Sequence, residues 1–384
     1  MLALFDSITR SDTAPARRGE GSFPYWNRTA RVEFDTLRAE LESWFARYPE
    51  ESAPDLRARF RSSNDIQHSA ACFELFLHEL LRRLGCAIQV HPSIPGTRHR
   101  PEFRVASPDG TAFYLEAKVA NDMSKEEGIA QARLNELYDA LSSIDSPNFW
   151  INTEIECLPH SRIPVKRFKT FIRDKLATIA HEHADTQNSA QIARELPRWI
   201  FKHDGWSMTM SPLPKGSESG SSPGALGIQL MGSMREIDPA KSLRKSILEK
   251  AKHYGSPDLP FVIAVNALGD FVNTRHVLAA LFGTEVYVSR FPGDEYRPHR
   301  LSDGVFTRPS GRYTRVSSVL VFEKLRAWNF PSANVRLYHH PMAARPFGGD
   351  FTRLSQTVAK DGRIEVVDGD SMTEIFGISP NWLE

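Results

Sequence analysis

Cysteine is scarce in this chain: Cys72, Cys86 and Cys157 are the only three in 384 residues. Their spacing suits neither a zinc site nor a disulfide framework, so buried free thiols in a reducing cytoplasm are expected. No run of about 18 apolar residues occurs, which argues against a membrane span. The opening stretch "MLALFDSITRSD" has too short an apolar run and no basic leader, so it does not read as a signal peptide. An excess of either charge is missing as well. With 48 Lys and Arg against 47 Asp and Glu, bulk charge says nothing about partners, and any footprint for a polyanion must be local. There is no GxxxxGK[ST] phosphate cradle, so no intrinsic ATPase is indicated, and no GxSxG elbow. No internal repeat is visible. What remains is ordinary globular composition, 41% hydrophobic and 25% charged, with length for two or three domains or one core with large additions. A cytoplasmic protein without a membrane partner is the expectation.

Residues 11–24 ("SDTAPARRGEGSFP") read as a poorly ordered lead-in. A helical period runs from Thr29 to Arg47 through Val32, Leu37, Leu41, Trp44 and Phe45. A second helix over 65–84 carries Phe73, Phe76, Leu77, Leu80, Leu81 and Leu84, with Gly85 as its stop. Three strands follow, "CAIQVH", "EFRVA" and "AFYLEAKVA", then a helix over about 127–143 and the β-rich run "NFWINTEIECL". That order predicts an α/β core with a central mixed sheet flanked by helices. Further on, "PVKRFKTFIRDKLATIAHEH" is helical and basic, "GSESGSSPG" is a loop, and "AKSLRKSILEKAKHYG" is a helix. It leads into "LPFVIAVNAL", an apolar run suited to a buried strand. The division expected is an N-terminal helical segment (1–60), a core (61–160), and a C-terminal α/β or α+β region for substrate or partner recognition (161–384).

"SPDGT" is a turn with a mechanism. Pro108 presets φ, Asp109 suits the next position, and Gly110 supplies the left-handed residue. A three-residue loop of this kind pairs Ser107 with Thr111, and counting outward sets Glu102 opposite Glu116. Alternation agrees. Phe103, Val105, Phe113, Leu115, Ala117 and Val119 share one face, and Glu102, Glu116 and Lys118 share the other. Opposed residues have Cβ atoms roughly 5 Å apart, and like charges there are destabilising. A partly buried carboxylate pair must then share a proton or bind a cation. Lys118 offsets part of the repulsion, and two carboxylates with a backbone carbonyl are hard oxygen donors of the kind Mg²⁺ or Mn²⁺ selects. On the 65–84 helix, Glu74 projects about 20° from Leu81, at the edge of the apolar stripe, while Glu79, Arg82 and Arg83 point well away.

Glu74 on a helix, "PE" (Pro101-Glu102) opening a strand and "EAK" (Glu116-Ala117-Lys118) on the next strand together resemble the PD-(D/E)xK nuclease superfamily. The resemblance covers roughly 60–157 and implies a restriction-endonuclease-like core. It implies that Glu102, Glu116 and the Ala117 carbonyl ligate Mg²⁺ or Mn²⁺, and that Lys118 positions or activates the attacking water. Glu74 would be the helix-borne acid supporting the site, and Gln131, on the following helix, an accessory residue of some branches. One residue departs from the pattern: the family has aspartate after the proline, and the longer arm of Glu102 shifts the ion relative to Lys118.

The activity implied is metal-dependent endonuclease hydrolysis of phosphodiester bonds, in DNA ahead of RNA, in a defence, restriction or repair setting. The alternatives are a catalytically inactive nuclease fold that binds nucleic acid or acts as a scaffold, and a metal-free α/β interaction protein. A homodimer or a partner protein is compatible with either. Phosphate contacts would come from basic side chains. The candidates are Arg98, Arg100 and Arg104 beside the hairpin, Lys166, Arg167, Lys169 and Arg173 on the next helix, and Arg308, Arg312 and Arg315. In "HEH" (His181 to His183) residues i and i+2 do not share a helix face, and "HH" (His339-His340), before Pro341, reads as a strand-end or loop pair. Trp199, Trp206 and Trp328 are expected in cores rather than against bases.

Overall fold

A computed structural model describes residues 2–121, 123, 125–156, 160–182, 197–215, 224–231, 238–255, 257–289, 295–307, 313–360 and 363–384. Arg308, Arg312, Cys157 and His183 lie outside the described residues. The chain forms two compact units. The first comprises Met1–Ala14, Gly21–Asp122 and Ile237–Glu384, and the second comprises Pro15–Glu20 and Met123–Glu236. This differs from the expected division at 60 and 160. No helix among the described residues is long and apolar enough to cross a membrane.

The first unit begins with four helices, α1 (Ser22–Arg28), α2 (Val32–Phe45), α3 (Ala53–Phe60) and α4 (Asp65–Arg83). Part of the expected lead-in is therefore helical. Helix α4 is capped at its start by the Asn64 side chain, which accepts from Ile66 N–H. It ends in a Schellman motif: Gly85, at φ +79°, donates to Arg82 and Cys86 donates to Leu81. That tight stop turns the chain straight into the sheet.

Strands β1 (Ala87–Val90), β2 (Phe103–Ala106) and β3 (Ala112–Ala120) form an antiparallel meander. The neighbour of β3 on its far side is β8 (Phe261–Ala267), which runs parallel to it and is preceded by helix α7 (Pro239–His253). The sheet continues through β9 (Ser318–Glu323), β10 (Asn334–His339), β11 (Ser355–Lys360) and β12 (Arg363–Val367), eight strands in all. Successive residues of β3 and β8 feed opposite layers. Phe113, Leu115, Val262 and Ala264 pack with Phe73, Phe76 and Leu80 of α4. Tyr114, Phe261, Ile263 and Val265 pack with Leu243 and Ile247 of α7 and with Val277 and Leu281 of α8 (Thr274–Phe282). The result is a three-layer α/β/α arrangement.

Helix α5 (Lys125–Ser142) and β4 (Phe149–Ile155) belong to the second unit. There β4 pairs with β6 (Trp206–Pro214) and β7 (Leu226–Met231), and β5 (Trp199–His203) completes a four-stranded sheet. Its core gathers Leu137 and Leu141 of α5, Phe168 and Ile172 of α6 (Val165–Glu182), Trp199, Trp206 and Met208. The fourth core strand is thus β8, not the "NFWINTEIECL" run. The physical reason is burial. A strand between two parallel neighbours is covered on both faces, and every residue of β8 is buried, whereas β4 carries half-buried Asn152 and exposed Glu154.

Glu79 does not point to solvent as the helical wheel suggests, since it is fully buried. Arg47, just beyond α2, and Arg82 each donate two hydrogen bonds to its carboxylate, at 2.9–3.1 Å. Arg83 donates a fifth at 2.7 Å while its guanidinium lies 4.8 Å from the Phe376 ring. Burial alone would raise this carboxyl, but the bonds from Arg82, Arg47 and Arg83 outweigh it and bring it down to about 2. A depressed carboxyl contributes stability above its unfolded value and loses it as pH falls through the folded one. Between pH 4.5 and about 2, unfolding stability should therefore drop on the order of 3 kcal/mol through Glu79. Urea titrations across that range check this: Glu79→Gln should be less stable at neutral pH and show a shallower acid slope.

Candidate functional site

The turn determines what the hairpin presents. Ser107 N–H donates to Thr111 O at 3.0 Å, Gly110 N–H to Ser107 O at 2.8 Å, and Gly110 sits at φ +85°. The Asp109 carboxylate accepts from Ser107 Oγ at 2.6 Å and from Thr111 N–H at 3.0 Å. Pairing then runs Ala106 with Ala112 up to Phe103 with Leu115. One step further brings Glu102 against Glu116, the register derived from the turn. Glu102 Oε2 accepts the Ala117 N–H at 2.9 Å, so the carboxylate folds onto the strand that bears its partner.

Glu116 is 2% exposed and points into the α7 layer. Its Oε2 accepts from Tyr254 Oη at 2.6 Å, and its Oε1 accepts from Lys250 Nζ. Lys250 and Tyr254 stand four residues apart, one turn of helix, at the end of α7. The Glu102 carboxyl is pushed well above its ordinary value by burial, then by the charge and hydrogen bond of Glu116. Lys250 and the Ala117 amide pull the other way. Lys250 is raised: burial lowers it, but the charges of Glu116 and Glu102 outweigh that. The pair already holds a cation, the Lys250 ammonium on Glu116, supplied by the protein.

Lys118 does not take that role. Its Nζ lies 3.3 Å from Glu249 Oε2 at the rim, and its side chain is 28% exposed. Lys118 is two residues along β3, whereas Lys250 descends from the facing helix directly onto Glu116. Glu74 is buried, and the structure does not bring it to the pair. Its Oε1 accepts from Tyr48 Oη at 2.6 Å, its Oε2 accepts from Arg59 Nη1 at 2.7 Å, and His91 Nε2 lies 3.6 Å away. The cause is the sheet, because α4 covers one face and Glu116 leaves from the other. Among the described residues His91 links Glu74 to the hairpin, since its backbone N–H donates to Glu102 O at 2.9 Å.

Arg98, Arg100 and Arg104 are exposed, and none has an acidic partner among the described residues. Arg315 is half-buried and donates to the carbonyls of Tyr254 and Gly255, at 2.7 and 3.0 Å, closing the end of α7. It braces the helix that carries Lys250 rather than facing a ligand. Gln131 lies in the second unit, on α5, and donates to Asn135 Oδ1 at 3.1 Å. Lys166, Arg167, Lys169 and Arg173 are in the second unit on α6, where Arg167 meets His203 at 3.3 Å. His340 is buried and pushed down to about 4, and His339 bonds Gln356 at 2.8 Å, so neither is poised as a ligand. Trp199 and Trp206 are core residues, but Trp328 is 45% exposed, with Arg326 5.6 Å from its ring.

The residues that the motif left out are Lys250, Tyr254 and Glu249. Their signal was a lysine and a tyrosine one turn apart on the helix entering the most apolar strand. Among the described residues no group of three or more His, Cys, Asp or Glu side chains is placed to hold a metal ion. The donor chemistry nonetheless suits a hard cation. Glu102 and Glu116 with the Ala117 carbonyl are oxygen donors, and Lys250 marks where positive charge is required. No family model matches the chain, and no curated protein or solved structure does either.

Lys250→Met should leave buried Glu116, opposed by half-buried Glu102, without its cation, at a cost of roughly 3–5 kcal/mol. Melting curves in EDTA and in Mn²⁺ check this. The variant should be destabilised in EDTA and gain more from Mn²⁺ than the wild type, and adding Glu102→Gln should remove the need for metal. A Lys250→Met protein as stable as wild type in EDTA would refute the assignment.

Proposed function

We propose that the chain is a divalent-metal-dependent nuclease, hydrolysing phosphodiester bonds in DNA on a PD-(D/E)xK-like site. The observation that carries this reading is the register-opposed pair of half-buried Glu102 and buried Glu116, with Lys118 two residues along the same strand face. The order α4, β1–β3, α7, β8, with β3 and β8 parallel, supports it as well.

Mg²⁺ or Mn²⁺, when bound, would supply Lewis acidity and lower the pKa of a bound water. Glu102, Glu116 and the Ala117 carbonyl would hold it. The Ala117 amide keeps Glu102 turned toward Glu116, and Tyr254 fixes the orientation of the Glu116 carboxylate. Lys118, released from Glu249, orients the water and stabilises charge developing on the phosphate. Lys250, which contacts Glu116, would supply a positive charge beside the ion that Glu102 and Glu116 would hold. Glu74 is a positioning residue: through His91 it steadies the chain at Glu102.

A second reading rests on the Lys250 contact itself. If the ammonium permanently replaces the metal, the site is a nuclease fold that binds nucleic acid without cutting it.

Supercoiled plasmid, linear duplex and single strands, incubated with Mg²⁺, Mn²⁺ or EDTA, separate the two. Metal-dependent cleavage should be lost in Glu116→Ala and in Lys118→Ala while binding survives. Cleavage persisting in Glu116→Ala would sink the assigned site. Salt-sensitive binding with no cleavage on any substrate would select the second reading.

A further inference from the structure

The exposed face of α7 carries cations that have no acidic partner among the described residues, Lys241, Lys245 and Lys252. At 100° per residue their directions fall within about 40° of one another, and a rise of 1.5 Å spaces them by roughly 6 and 10 Å along the axis. The other two cations of this helix are engaged: Lys250 with Glu116 and Arg244 with Asp303. The exposed lysines are therefore a distinct line, roughly 140–180° around the helix from Lys250, and Arg98 and Arg100 are exposed on the loop that leads into Glu102.

Between loop and helix lies a pair of stacked rings. The His99 and His253 imidazoles have centroids 5.3 Å apart and planes inclined by 17°. His99 also meets the edge of Tyr254 at 6.1 Å and 75°, and the Tyr254 hydroxyl is bound to Glu116. Both histidines are exposed, so burial does not account for their stacking. An exposed aromatic platform flanked by a line of cations is what a single strand uses: phosphates follow the charge and bases stack on the rings. A duplex keeps the faces of its bases inside and can use only the charges.

We propose that the exposed face of α7 and the loop before Glu102 form a track for nucleic acid with unpaired bases, one base stacking on the His99–His253 platform beside the carboxylate pair. The proposal rests on the nucleic-acid reading of this site and names the strand form it takes. Tyr254 then links the platform to the chemistry, since the same ring abuts His99 and holds Glu116.

Fluorescence anisotropy in EDTA tests it without hydrolysis. The probes are a labelled single strand, the same strand with abasic positions, and a duplex of equal length. The full chain should bind the single strand most tightly. His99→Ala and His253→Ala should each weaken that binding about tenfold, with little change for the abasic strand or duplex, and His99→Phe should restore it. Lys241→Gln, Lys245→Gln and Lys252→Gln together should weaken all three probes and flatten the salt dependence. Equal loss on all three probes in the histidine variants, or none, would overturn the platform; so would failure to bind any probe. Single-strand preference without metal-dependent cleavage would uphold the track and remove only the nuclease reading. Cleavage without strand preference would do the reverse.

Discussion

Two carboxylates forced together by a turn are the constraint around which this site is built. Ser107 to Thr111 determines the hairpin register, and the register leaves Glu102 and Glu116 no way to avoid each other. Away from water such a pair is tolerated only with a shared proton or a cation between its members. Lys250 and Tyr254 answer that demand, and both come from a helix far along the chain. The electrostatics of a hairpin thereby specify where α7 must lie. A buried ion pair is weak evidence for net stability, because desolvation offsets much of the attraction. Its stronger effect is on placement: any register that moved Lys250 off Glu116 would strand a buried charge.

The same logic separates the two acids on α4. Glu79 and Glu74 are both buried, and each is matched to cations or hydroxyls in its own layer. Neither is available to the pair on the other side of the sheet. Five hydrogen bonds from three arginines make Glu79 a clamp between α2 and α4, with Arg83 reaching on to the Phe376 carbonyl. That clamp supports the layer against which the meander packs, so the hairpin rests on a rigid floor.

Local chemistry made much of this legible. Helices α2 and α4, the Gly85 stop, the three-strand meander and the pairing of Glu102 with Glu116 all follow from periodicity and turn residues. Connectivity was not legible, because α5 and β4 follow β3 in the chain just as a crossover and its strand would. Only the half-buried Asn152 and exposed Glu154 of β4, set against the wholly apolar run of β8, betray which strand is central. Charge neutralisation was hidden for the same reason. Lys118 is adjacent in sequence and Lys250 is adjacent in space, and no pattern within the hairpin points to a helix beyond 120 further residues. Glu74 illustrates a different limit: a helical wheel gives a direction around one axis, not the face of the sheet on which that axis lies.

The placement of the second unit between β3 and α7 has a temporal consequence. Glu116 and Lys250 are separated by 134 residues, so a growing chain presents the completed hairpin well before its counter-ion exists. At roughly 5–20 residues per second the interval is on the order of ten seconds. During that time the two acids have Lys118, protons and dissolved cations to separate them, but not Lys250. The nascent hairpin thus depends on cations from its surroundings, and the finished fold adds one of its own through Lys250.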